Sequence, residues 1–324
     1  MNRSVAQYVC VFENRGNSGV LKSMNAGFNL RESSSRGSQK LHGLLLEHEL
    51  SDLRLLLERK AGVLLECPQH ELVDRLVEYM EQRRLTSFAD LMGRLQSSEA
   101  EFESLLERLL DGETGFYRHP QAFGAFEKQA LPELYIRKSS QTSRSLRIWA
   151  AGCSTGEEAY SIALSICEAA YCHGNNNWTI HVLASDVRQS ALSFAERGLY
   201  TPAALENLPR PQVQQYFARL GEHYLVKPRL RNLITFTQMN LARPAHLGRF
   251  DCIFCMDLLN HFSMSQRIAL TQRLHLYLEP GGYLFLGDGE RLHTMDVNFQ
   301  AQTEGAYTFF RKPMTAAARA GWGS

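Results

Sequence analysis

IWAAGCSTGEEAYSIAL, residues 148–164, passes from one texture to another across a single turn. Ile148, Trp149, Ala150 and Ala151 form an apolar run that stops at Gly152. Past Gly156, EEAYSIALSICEAA reads as a helix with Glu157 and Glu158 in its first turn. Strand, glycine turn and helix make the entry unit of an open α/β sheet, where ligands sit beyond the carboxyl ends of the strands. Gly152 and Gly156 let the backbone turn tightly and approach a ligand closely. A dinucleotide would lay its pyrophosphate on the helix N-terminus, whose dipole favours anions. Glu157 and Glu158 would repel that phosphate. They suit the helix itself and a ligand with positive groups and no phosphate.

S-adenosylmethionine, with a sulfonium and an α-ammonium, is such a ligand. A second acid agrees: VLASD ends a strand at Asp186. An acid at the end of the second strand is where an adenosine ribose finds a partner for its hydroxyls. The alternative is that Asp186 only caps the helix that starts near Gln189.

Working outward, residues 1–40 lack a sustained period and end in RESSSRGSQK, which reads as a mobile leader. Residues 41–110 repeat leucine at helical intervals and show no strand-like run, so they read as an all-helical N-terminal domain. Ser87 and Ser98 stand where two of its helices need N-caps. Residues 111–145 form a linker, opened by DGETGFYRHPQAF and closed by the polar RKSSQTSRS at 137–145. From 146 to 312 strands alternate with helices, the pattern of a mostly parallel, doubly wound α/β sheet. Within it, 202–231 departs from the alternation and is expected as a small insertion with a hairpin. In it Lys227, Arg229 and Arg231 alternate along one strand, an edge for a peptide or a solvated face. Residues 313–324 are a tail.

Of 324 residues, 35 are Lys or Arg and 34 Asp or Glu, so no global field favours nucleic acid or an anionic membrane. No stretch reaches the apolar length of a membrane span, and VAQYVCVF is too soon interrupted for a signal peptide. Seven cysteines without framework spacing suit a reducing cytoplasm. Cys252 and Cys255 form a CxxC, but on a buried strand residues three apart face opposite ways, which argues against metal or redox use. No metal site is expected.

GCSTGEEAYSIA, ASDV…ALSFAERGLY, FDCIFCMDLLNHF and LEPGGYLFLGDGE together resemble the CheR-type chemotaxis receptor methyltransferases, over roughly residues 43–312. The resemblance implies a class I methyltransferase domain with a small inserted β-subdomain, preceded by a helical domain. It implies methyl transfer from S-adenosylmethionine to glutamate carboxylates on the cytoplasmic methylation helices of a chemoreceptor-like protein, with S-adenosylhomocysteine as product. GETGFYR resembles the family's linker motif, so Thr114 and Arg118 match positions that close over the cofactor and the reacting carboxylate. Glu158 matches the family's cofactor-contacting glutamate and Asp186 its ribose acid. Asn240 and Leu241 match a pair that flanks the adenine. Read without the family, Asn240 is an ordinary turn residue after a strand and Arg118 a solvated charge at a helix start. Phe116 and Tyr117 are expected to pack.

The chain departs from the family at two places. The strand motif Cys-Arg-Asn-Val-x-Ile-Tyr-Phe here reads CMDLLNHF. Met256 replaces the arginine and Asp257 the asparagine. His261 replaces the tyrosine near the methyl-transfer site, as a second catalytic candidate beside Arg118 or as a tolerated helix-start residue. Asp257 can accept from an adenine amino group but cannot donate as an amide does. The family's arginine-rich second helix here carries Glu71, Asp74, Glu78 and Glu81 against Arg75, Arg83 and Arg84, which weakens steering toward an acidic partner. Two other functions compete. One is a catalytically impaired S-adenosylmethionine-binding signalling module; the other is methylation of a small carboxylic acid, against which the helical domain argues.

Overall fold

The computed structural model describes residues 47–65, 68–110, 114–139, 144–169, 178–292 and 297–314. The expected leader lies outside the described residues, as does nearly all of the tail.

Among the described residues four helices come first: α1 (Glu47–Ala61), α2 (Gln69–Gln82), α3 (Phe88–Ser97) and α4 (Glu99–Leu109). Their leucines recur at i, i+3 and i+7, so Leu50, Leu53 and Leu57 of α1 fall on one face and pack against Leu72, Leu76, Leu91 and Leu105. Each such side chain contributes about 2 kcal/mol on burial. Both predicted caps form: Ser87 Oγ accepts from the Asp90 amide at 3.1 Å and Ser98 Oγ from the Glu101 amide at 3.2 Å.

The connecting region holds α5 (Pro120–Ala125), which continues through a π-helical turn into α6 (Leu131–Ser139). Pro120 sits in the first turn, where its missing N–H costs nothing. The expectation of a polar linker from residue 137 is corrected here. Arg137 and Lys138 belong to the end of α6 and bind the sheet: Arg137 donates to the Gly281 carbonyl at 2.6 Å and Lys138 to Asp251 Oδ2 at 2.6 Å. Asp251 is almost wholly buried, and a buried charge needs such partners.

The sheet contains β1 (Ser145–Ala151), β2 (Thr179–Asp186), β6 (Ile234–Gln238), β7 (Phe250–Cys255), β8 (Leu278–Leu286), β9 (Gln300–Glu304) and β10 (Tyr307–Arg311). Their order is β6-β2-β1-β7-β8-β10-β9. The first five run parallel, and β10 is antiparallel to both β8 and β9. α7 (Glu157–Glu168), α8 (Gln189–Arg197) and α11 (Met264–Tyr277) connect the parallel strands. The chain builds outward from β1 through β2 to β6, then returns to β7 on the other side of β1. That reversal is a topological switch point, and the crevice beyond it is where such sheets bind ligands. Cys252 and Cys255 point to opposite faces of β7, into two different apolar clusters, so they cannot share a ligand.

The insertion is a three-stranded antiparallel sheet, β3-β5-β4, made by β3 (Leu199–Tyr200), β4 (Phe217–Leu220) and β5 (His223–Val226), with α9 (Arg210–Tyr216) leading into β4. The expected basic strand is not there. Pro228–Arg231 is a short helix, α10, because Pro228 presets its first turn. Its cations are spent internally: Arg231 donates to the Glu196 carbonyl at 2.7 Å and Arg229 lies over the Tyr216 ring.

Candidate functional site

Beyond the carboxyl ends of β1, β2, β6 and β7 lies a cavity of about 270 Å³. Thr114, Arg118, Gly152, Glu158, Asp186, Asn240, Leu241, Met256, Asp257 and His261 all line it. Gly156 does not. Its φ of +96° makes the turn, and a Cβ there would meet the Ala195 Cβ at 2.7 Å, so it serves the packing of α7 on α8. Gly152, at φ +80°, does line the cavity, and a Cβ on it would lie 2.5 Å from Leu258.

The two glutamates that open α7 divide their work. Glu157 is buried and accepts from Thr155 Oγ1 at 2.7 Å and from Thr114 Oγ1 at 3.4 Å, which ties the linker to the helix. Glu158 faces the cavity, and its Oε1 is shielded with no hydrogen-bond partner. Burial, then Asp257 and Glu290, push its carboxyl up to about 8, opposed only by Arg118. A shielded carboxyl oxygen without a donor is costly unless a ligand supplies one.

Asp186 lies at the end of β2, with Oδ2 accepting from the Ser154 amide at 2.8 Å and Oδ1 from the Arg188 amide at 2.9 Å. Arg188, the residue before α8, receives no side-chain cap into that helix, so the capping alternative is replaced by a two-residue Asx turn. Oδ1 also accepts from Arg188 Nε at 3.3 Å, so Oδ2 is the oxygen that keeps acceptor capacity toward the cavity. Asn240 accepts from the Ala242 amide at 2.8 Å, so its turn role is real and coexists with lining the cavity.

Asp257 follows β7 in the left-handed region, φ +59°, which Asn and Asp tolerate better than most residues. Ser154 shares that conformation at +49° and lines the same cavity, and Tyr117, at +50°, directly precedes Arg118. Asp257 does not wait for an adenine. Its Oδ2 accepts from His119 Nε2 at 2.8 Å and lies 3.5 Å from Arg118 Nη1. The hydrogen bond to His119 holds the Asp257 carboxyl below its usual range, and the same bond raises His119. The expected adenine partnership is also topologically remote. Asn240 follows β6 and Asp257 follows β7, three strand steps apart, or about 14 Å at ordinary strand spacing. His261 ends a 3-10 turn, Leu259–His261, at the mouth of the cavity, and its carbonyl accepts from the Leu64 amide at 2.6 Å.

Two residues with large parts in this site escaped the sequence reading. Glu290 is buried and accepts from the amides of Asp257 at 2.9 Å, Gly287 at 2.8 Å and Leu259 at 2.6 Å, which fixes the loop after β7. His119 is the buried partner of Asp257. The only signal for Glu290 was its place after the glycines of LEPGGYLFLGDGE; for His119 there was none beyond its position before Pro120. Phe116 and Tyr117 pack as expected, Phe116 edge-on to Tyr200 at 5.1 Å and Tyr117 edge-on to Phe123 at 4.8 Å. Among the described residues no cluster of potential metal ligands occurs.

The sequence matches the family model described as CheR methyltransferase, SAM binding domain, over residues 112–307. It is 33% identical to chemotaxis protein methyltransferase 1 of Pseudomonas aeruginosa, an alignment that covers 76% of this chain and 91% of that protein. Identity to the chemotaxis protein methyltransferase Cher2 of Pseudomonas putida is 32%, over 78% of this chain and 93% of the relative. For the chemotaxis protein methyltransferase of Escherichia coli it is 29%, over 78% and 87%.

Proposed function

This chain belongs to the CheR methyltransferase family, and on that premise we propose that it transfers a methyl group from S-adenosylmethionine to glutamate carboxylates of a chemoreceptor or related signalling protein, giving methyl esters. Its seven-stranded sheet, with one antiparallel strand wedged beside the parallel ones, is the class I methyltransferase fold, and the family's domain binds S-adenosylmethionine. The observation that carries the reading is the shielded, unpartnered Glu158 oxygen facing a crevice that also holds Asp186, Asn240 and Arg118.

The residues fit the cofactor. Glu158 takes the α-ammonium, which supplies the missing donor and draws the carboxyl to its ionised form. Asp186 accepts from the ribose hydroxyls. Asn240 and Leu241 border the adenine, and Thr114 closes the linker over the pocket through Glu157. When bound, S-adenosylmethionine supplies a methyl group activated by the sulfonium. A glutamate acceptor, with an ordinary pKa near ~4.3, is already ionised at neutral pH, so no general base is needed. Arg118 orients the acceptor carboxylate, while Leu258, Met256 and the helical domain exclude water, and proximity does most of the rest. The partner surface is proposed to be the receptor's methylation helices, and the compartment the cytoplasm; among the described residues no helix is long and apolar enough to cross a membrane.

The test is base-released methanol from the source organism's chemoreceptor fragments after incubation with methyl-labelled S-adenosylmethionine. Wild-type protein is expected to release label and Arg118→Ala to lose about 100-fold in turnover while keeping its fold. No label with wild type, alongside measurable S-adenosylhomocysteine binding, would move the assignment to the non-catalytic binding module.

A further inference from the structure

Asp257 places a carboxylate beside the arginine proposed to receive the acceptor carboxylate. Left alone, it would repel an anionic acceptor. The structure shows what stands against it. The segment Arg118–His119 brings two basic side chains to one oxygen: His119 Nε2 reaches Asp257 Oδ2 at 2.8 Å, and Arg118 Nη1 pairs with the same oxygen at 3.5 Å. The carboxylate has no proton to give, so Nε2 carries the hydrogen of that bond. The geometry is held from both sides. Pro120 fixes the backbone after His119, and the Glu290 carboxylate fixes the Asp257 amide. On the other face Gly287 leaves room: a Cβ there would lie 2.2 Å from Asp257 Oδ1. His119 Nδ1 is buried without a hydrogen bond, 3.7 Å from Asp288 Oδ2, so the ring has no exposed nitrogen with which to act as a base toward a bound substrate.

Resting on the cofactor reading above, we propose that His119 is a positioning residue for methyl transfer: as a cation it neutralises and holds Asp257 beside Arg118, so that the charge at the methyl-donor end of the pocket stays balanced. Asp186 and Asn240, which would hold the adenosine, follow β2 and β6 on one side of β1; Glu158, Arg118 and Asp257 line the rest of the cavity, where the methyl-donor end would be held. His119 is needed because position 257 is an aspartate. A neutral residue there would leave nothing to balance.

The readout is a ratio that needs no acceptor. S-adenosylmethionine carries a positive sulfur and S-adenosylhomocysteine a neutral one, so their relative affinities report the charge around it. Both are titrated calorimetrically into wild type, His119→Gln, Asp257→Asn and the double variant. Glutamine keeps a donor toward Asp257 and loses the charge. The expected result is that His119→Gln shifts the affinity ratio toward S-adenosylmethionine by roughly three- to tenfold, the scale of one unbalanced charge at partly screened distance. Adding Asp257→Asn returns the ratio to that of Asp257→Asn alone. A purely structural role would weaken both ligands equally; equal weakening, or an unchanged ratio, overturns the proposal. Failure of wild type to bind either compound overturns the cofactor reading itself, a result distinct from an unchanged ratio in a protein that binds both.

Discussion

Glu158 shows how one side chain can be unfavourable to the empty protein and useful to the loaded one. Its folded carboxyl, pushed up to about 8 chiefly by burial, stays protonated where the unfolded chain's carboxylate is ionised. The folded state therefore binds the extra proton between the ordinary carboxylate range and pH 8. Stability from this group is present below that window and is lost as pH rises through it. Glu158→Gln should raise the melting temperature of the ligand-free protein at pH 8, with little gain at pH 5. The same variant should bind S-adenosylhomocysteine at least about tenfold more weakly, since a charge-assisted contact to an ammonium is worth over 1 kcal/mol. Binding to wild type should release a proton near pH 7, seen as a calorimetric enthalpy that changes with the buffer's ionisation enthalpy. A buffer-independent enthalpy would mean that no proton leaves Glu158.

At the scale of elements, the loop after β7 is built by one acid. Three backbone amides, those of Asp257, Gly287 and Leu259, converge on Glu290, and replacing it strands them in a buried place. Glu290→Ala is expected to cost about 2–4 kcal/mol in urea unfolding, from unsatisfied amides at 1 kcal/mol or more each. Glu290→Gln, which keeps an acceptor, should cost less than half as much; equal costs would assign the effect to packing. The helices and most strands of this chain were legible because their apolar periods are regular, and Ser87 and Ser98 announced their helix starts. β9, with the sequence QAQTE, gave no such signal. It is an edge strand held by pairing with β10, and its polar, largely solvent-facing residues carry no period that a buried face would impose.

Over the whole molecule, the helical domain is part of the pocket. Ala61, Val63 and Leu110 form one of its walls, Val63 pairs with Phe262 as an isolated bridge, and the Ser190 amide donates to Glu107 at 2.9 Å. Deleting residues 1–110 would thus remove a cavity wall, so loss of activity on deletion does not by itself identify a protein substrate. A point change is cleaner. Val63→Asp, which puts a charge in that wall, should weaken S-adenosylhomocysteine binding by about tenfold or more while the far-ultraviolet spectrum holds. Retained affinity would show that the domain does not shape the site. Two of the three arginines of α2 and its C-terminal turn are engaged at home, Arg75 with Glu71 at 2.7 Å and Arg83 with Glu101 at 2.8 Å. Receptor methylation should accordingly depend weakly on salt, with KM changing less than about threefold between 50 and 500 mM.

Sequence by itself determined the order of strands and helices, the glycine turn and the acids that answer it. These depend on neighbours along the chain: an apolar period, a cap, a positive φ. It also named most of the cavity's residues, since strand ends in a doubly wound sheet meet at one crevice whatever their separation in sequence. What only the tertiary structure decided is which of those groups face each other. Glu157 and Glu158 look equivalent in sequence, yet one binds the linker and the other the cavity, because successive residues on a helix point about 100° apart. Asp257 read as an altered cofactor contact until His119, 138 positions away, was seen on its carboxylate. Charge balance in a buried site is a property of three-dimensional neighbours, and no pattern along the chain records it.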